Sequence, residues 1–152
     1  KYKDPIYGLP AHWAPNDLLF YSGEMFPQKY KNGAFIAFHG STNRSPYPQA
    51  GYVVGFIPFS NGLPSGELEI FADGFAQVEI IKEMKDAKYR PMGLAEGPDG
   101  SLYISDSKKG KIWRVLFTGN KASFSDDNLK EMELRKYLSH IKTPKEFEDI
   151  VK

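Results

Sequence analysis

Ala34-Phe35-Ile36-Ala37-Phe38-His39-Gly40-Ser41-Thr42-Asn43-Arg44 is the stretch on which the reading of the fold turns. Its first half is unbroken apolar sequence and its second half is polar. A strand with one wet face alternates apolar and polar residues, whereas an apolar run of strand length is buried on both faces. Val53-Val54-Gly55-Phe56-Ile57 repeats the pattern. Two such strands place sheet against sheet on both sides, and the polar segment after Phe38 then becomes a loop at the end of a buried strand, where ligands are commonly held.

Working outward, strands are expected at Leu18–Tyr21, Gly33–Phe38, Tyr52–Phe59 and Leu68–Ala72, then at Met92–Ala95, Ser101–Ser105 and Lys111–Phe117. Turn chemistry separates them: Asn32-Gly33, Asn61-Gly62, Pro64-Ser65-Gly66, Pro98-Asp99-Gly100 and Lys108-Lys109-Gly110. In Pro98-Asp99-Gly100, proline presets φ, aspartate caps the turn and glycine accepts positive φ. Short strands at spacings of about ten residues indicate a sandwich, a barrel or a propeller. The composition agrees, with 14% aromatic residues, 14 Gly and 11 Pro in 152 residues. The fold class expected is all-β.

A different composition begins after Ser125. About half of residues 126–152 are charged, and Tyr137 and Phe147 are the aromatics there. Leu134, Tyr137, Leu138 and Ile141 make a helical stripe, and Thr143-Pro144-Lys145-Glu146 is a capping box. The expected division is therefore a β domain over 1–125 and an α-helical extension over 126–152.

The net charge of +1 offers no field for nucleic acid, and no apolar run approaches the ~20 residues of a membrane span. The absence of cysteine excludes disulfides, thiolate chemistry and covalently attached haem. The three histidines, His12, His39 and His140, lack zinc spacing, so no metal ligand is assigned. Hydrolase and nucleotide-binding motifs are missing.

Three signatures occur in fixed order: His12-Trp13-Ala14-Pro15, the His39–Arg44 run, and Tyr89-Arg90-Pro91-Met92-Gly93-Leu94 followed by Gly97-Pro98-Asp99-Gly100-Ser101-Leu102-Tyr103-Ile104-Ser105-Asp106. Together they resemble the C-terminal portion of the soluble pyrroloquinoline quinone (PQQ) dependent glucose/sorbosone dehydrogenases, which are six-bladed β-propellers. The resemblance implies one four-stranded and one three-stranded blade, whose companion blades lie on another chain or on a precursor part. It implies a PQQ site in which His12, His39, Asn43, Arg44, Lys88 and Arg90 contact the cofactor. Its chemistry suits them, because PQQ carries three carboxylates and an ortho-quinone, and arginine forks pair with carboxylates. Thr42 stands where that family commonly has an aromatic residue.

The activity implied is sugar or aldose oxidation of the sorbosone type, with Ca²⁺ ligands and the catalytic base outside this chain. A cytochrome or similar acceptor and a periplasmic or extracellular setting follow from the same resemblance. The alternative is a non-catalytic propeller serving as a binding platform.

Overall fold

The computed structural model describes residues 2–125 together with Asp127 and Lys130. The described residues form nine strands in three antiparallel sheets. The largest joins β1 (Pro15–Phe20), β2 (Ala34–Phe38), β3 (Val53–Ile57) and β6 (Glu69–Ala72) in that order. Between β3 and β6 sits a small hairpin of β4 (Phe59–Ser60) and β5 (Leu63–Pro64). The third sheet is β7 (Pro91–Glu96), β8 (Leu102–Asp106) and β9 (Ile112–Val115). Between residues 2 and 125 the helices are three-residue 3₁₀ turns.

The all-β expectation holds, and the seven expected strands are all present in groups of four and three. The β4–β5 hairpin is an addition: Asn61 (φ 51°) and Gly62 (φ 77°) form its left-handed two-residue turn. The helical extension expected over 126–152 lies outside the residues described continuously. Among the described residues the sheets do not close a ring.

Every residue of β2 and β3 is buried, and alternate side chains enter different cores. Phe35, Val54 and Phe56 join Tyr21, Phe26 and Tyr30 in an aromatic cluster that continues into Leu102 and Ile104 of β8. Ile36, Phe38, Val53 and Ile57 face the other way, against Trp13, Leu68 and Ile70. The four-stranded sheet is thus covered by the three-stranded sheet on one face and by the N-terminal segment on the other. Phe35 packs its ring on Phe71 at 4.6 Å and on Phe56 at 5.0 Å, and burying such a side chain contributes roughly 1.5–3 kcal/mol.

Strands β1 and β7 meet along a seam held by side chains. Each carries a register shift, after Pro15 and after Pro91 respectively, which leaves backbone N–H groups without ladder partners. Side chains fill the gap: the Asp17 carboxylate accepts from Leu94 N at 2.7 Å, and Ser105 Oγ accepts from Gly93 N at 2.9 Å. Glu96 accepts from Ser22 N at 2.8 Å. Farther along, Tyr21 Oη donates to Gly100 O at 2.6 Å and accepts from Met25 N at 3.0 Å, fastening the β7–β8 turn to the end of β1. This seam fixes the position of the loop that carries the candidate site.

Candidate functional site

Arg90 immediately precedes β7 and is 8% exposed. Its guanidinium reaches across the seam to the loop after β2: Nε donates to His39 O at 3.0 Å and Nη2 to Gly40 O at 2.8 Å. The same residue's backbone N–H is held by Asp106 Oδ1 at 2.6 Å. A guanidinium has five N–H donors, so these bonds leave Nη1 uncommitted. Among the described residues no buried side-chain nitrogen or oxygen lacks a partner, so the unpaired Nη1 lies where solvent reaches it. The ring of Tyr52 lies beneath the guanidinium carbon at 5.4 Å, a cation–π contact.

Gly40 makes this approach possible. Its φ is +90°, and an added Cβ would sit 2.3 Å from the Tyr52 ring. Tyr52 in turn donates its hydroxyl to Ser41 O at 2.5 Å. The polar segment read from the sequence is therefore a rigid corner built on one aromatic ring.

His39 is half-buried. Its Nε2 lies 2.7 Å from Ser107 Oγ, in the β8–β9 turn. Burial pushes the imidazole below its ordinary value, the neighbouring Arg90 charge adds to that, and Asp106 partly opposes it. The ring is thereby kept neutral near pH 7, with Nδ1 unpaired and accessible. Burial raises the Asp106 carboxyl, but hydrogen bonds from backbone N–H groups of Arg90, Lys109 and their neighbours outweigh it and lower the group overall. Asp106 is a turn cap, as its place after a strand suggests.

Arg44, Asn43 and His12 line one open cleft of about 470 Å³ beside Trp13 and Tyr47. Arg44 Nη1 donates to Pro48 O at 3.2 Å, and its guanidinium stands 5.8 Å from the Tyr47 ring. Asn43 and His12 are exposed, and position 42 is also at the surface. Lys88 stands apart, in a second cleft between β6 and β8–β9. The structure thus brings His12, Asn43 and Arg44 together, joins His39 to Arg90, and separates Lys88 from both groups.

Ser107 and Tyr52 complete the site without having been singled out as part of it. The only prior sign was their position directly after a strand or a glycine.

Two sheets joined by an arginine-braced corner that includes a histidine, with a second arginine in the His12–Asn43 cleft, define an all-β domain that presents cationic hydrogen-bond donors on its loops. Among the described residues no group of three or more His, Asp or Glu side chains is arranged to hold a metal ion. The chain belongs to the TrAA12-like family, whose model matches residues 1–117. It is 36% identical over 118 residues to an uncharacterised protein of Borreliella burgdorferi, covering 77% of this chain and 29% of that protein. The iodide structure of the Trichoderma reesei carbohydrate-active enzyme of family AA12 superposes with a TM-score of 0.52 at 26% identity, covering 67% of this chain and 24% of that one. Its calcium structure gives a TM-score of 0.45 at 25% identity. The chain therefore spans about a quarter of the length of the relatives it matches.

This membership corrects the expected resemblance to the soluble glucose/sorbosone dehydrogenases. The physical reason is visible in the site. The runs that carried the resemblance, His39–Arg44 and Arg90–Asp106, largely serve as corner, brace and turn. Any chain that joins strands in this way has use for them, so they do not separate one such family from another.

Proposed function

We propose that this chain is part of a PQQ-binding oxidoreductase acting on carbohydrates, and that it supplies loops of the cofactor pocket. The observation that carries this reading is a set of uncommitted hydrogen-bonding groups on these loops: Arg90 Nη1 and His39 Nδ1 at the braced corner, and the remaining N–H groups of Arg44 in the cleft with His12 and Asn43. The donor set suits a polycarboxylate, because the adjacent Asp17 and Asp106 carboxylates are already occupied by backbone N–H groups and do not compete. Family membership and the likeness to a carbohydrate-active enzyme support the substrate class.

In this reading Arg44, Asn43 and His12 hold carboxylates at the cleft, while Arg90 and His39 face the quinone end. The chemistry supplied by bound PQQ is acceptance of two electrons from an alcohol carbon. Arg90, fixed by two carbonyls, places a positive charge that stabilises developing negative charge without having to reorganise. Neutral His39, held by Ser107, offers one ring nitrogen for hydrogen bonding. Ca²⁺ ligands and the base that removes the hydroxyl proton belong, on this proposal, to the rest of the enzyme. Lys88 is left out of the set because it lines the other cleft.

The two sheets are read as successive blades of a propeller, with β1 and β7 as neighbouring first strands and the remaining blades outside this chain. A cytochrome-type acceptor and a setting outside the cytoplasm belong to the same proposal. The test is titration of the full-length enzyme with PQQ and Ca²⁺, followed by quinone absorbance and sugar-dependent dye reduction. Saturable binding is expected, weakened about tenfold or more by Arg44→Ala, since a lost charge-assisted pair is worth roughly 1.5–3 kcal/mol. Absence of PQQ binding would overturn the reading. The alternative, a cofactor-free binding platform, is favoured by one observation: Arg44 and Arg90 already brace their own loops through carbonyl oxygens.

A further inference from the structure

The cleft between β6 and β8–β9 has a volume of about 420 Å³ and lies apart from the His39–Arg90 corner. Its walls are fixed. Lys88 N donates to Ala76 O at 2.9 Å and Tyr89 N to Phe75 O at 3.1 Å, so the loop after β6 is zipped to the segment before β7. Gln77, in left-handed conformation at φ 60°, closes that loop by donating to Gly74 O from both its backbone and its side chain. The floor is aromatic. Trp113 meets Phe75 edge-to-face at 5.0 Å and Tyr89 edge-to-face at 5.3 Å, and both Trp113 and Tyr89 remain half-exposed at the surface of the cleft.

Two cations converge on this floor. Lys111 Nζ lies 4.8 Å and Lys88 Nζ 5.5 Å from the centre of the Tyr89 ring. Neither forms an ion pair among the described residues. The Tyr89 hydroxyl bonds to Lys111, and that bond, aided by both ammonium charges, lowers the phenol below its ordinary value. Asp73 also lines the cleft, but neither ammonium forms an ion pair with it, so two like charges remain gathered beside one ring, and an anion placed between them relieves their repulsion. Aromatic surface beneath them accepts the apolar face of a ring-shaped ligand.

We propose that this cleft is a second carbohydrate-binding site, selective for sugars that carry a carboxylate, such as the uronate units of an acidic oligosaccharide. Trp113 and Tyr89 take the sugar ring, and Lys88 and Lys111 take the carboxylate. The choice of a sugar rests on the carbohydrate-active reading above; the choice of an acidic one rests on two lysines that form no ion pair.

The test is calorimetric titration of the full-length protein with tetragalacturonate and, separately, with an uncharged oligosaccharide of equal length. The acidic sugar is expected to bind and the neutral one to bind at least about tenfold more weakly. Binding should weaken as salt rises, because exposed ion pairs are screened. Lys88→Gln and Lys111→Gln should each weaken tetragalacturonate binding several-fold. Lys109→Gln, on the same hairpin but outside the cleft, should leave it unchanged. All three positions are exposed, so these variants are expected to fold, and circular dichroism checks that they do. No tetragalacturonate binding, equal binding of both sugars, or indifference to both lysine substitutions would each overturn the proposal. PQQ titration of the same samples keeps the two readings separate: loss of the acidic-sugar site leaves quinone binding intact, and failure of quinone binding leaves the sugar titration unaffected.

Discussion

His39 shows how much one side chain's environment decides. Its folded-state pKa lies below the ordinary 6.5, first through burial and then through the Arg90 charge, with Asp106 opposing. The unfolded chain therefore binds the proton more readily than the folded one. The stability associated with neutral His39 is present above about pH 6.5 and is lost as pH falls from there through the lower folded value. Denaturation midpoints measured between pH 7.5 and 5 should decline over this window, and His39→Gln should flatten the decline. An imidazole that titrates at or above 6.5 by NMR would show that the Arg90 charge and burial do not act as described.

At the level of strands and turns, the aromatic and apolar runs announced their own structure. Phe35–Phe38 and Val53–Ile57 read as buried on both faces and are so, because a side chain every second residue needs its own core on each side. The β4–β5 hairpin escaped notice for an equally physical reason. Phe59-Ser60 and Leu63-Pro64 are too short to show any period, so Asn61-Gly62 read as punctuation and not as the turn of a hairpin. Arg90 was legible as a cation beside a strand, but its partners were not. They are backbone carbonyls fifty residues away, and a carbonyl leaves no mark on a sequence. Ser107 was hidden in the same way, behind a turn whose visible signals were Lys and Gly. Tyr21 offers the corresponding test of an element contact. Tyr21→Phe keeps the ring but leaves Gly100 O without its donor and the Met25 and Phe26 N–H groups without their acceptor. A loss of about 1–3 kcal/mol in chemical denaturation is expected, the range for buried polar groups left unpaired. A change smaller than about 0.5 kcal/mol would mean that the β7–β8 turn is anchored by its own bonds alone.

Across the whole molecule, the same packing that fixes the site leaves apolar surface outside. Leu18 and Phe20 on β1, Leu63 on β5 and Ile112 on β9 are each more than half exposed. Phe20 and Phe59 meet edge-to-face at 5.0 Å, with Leu63 directly after the Asn61-Gly62 turn and paired with Ser60, so part of this surface is a patch and not a scatter of single residues. The outer edges of β6 and β9 also carry unpaired backbone groups. A chain that spans about a quarter of its relatives leaves ample sequence to cover such surface, and in the propeller proposal neighbouring blades do so. The consequence is measurable on the isolated chain. Size-exclusion chromatography with light scattering should give species heavier than the 17.2 kDa monomer. Phe20→Lys combined with Leu63→Lys should shift the distribution toward monomer, since charge on exposed strands blocks association without touching either core. The two cores contain neither residue, so circular dichroism should be unchanged by the pair. A monodisperse monomer from the unmodified chain would show that the exposed apolar residues are ordinary surface, and the argument for blades seated on these faces would fail with it.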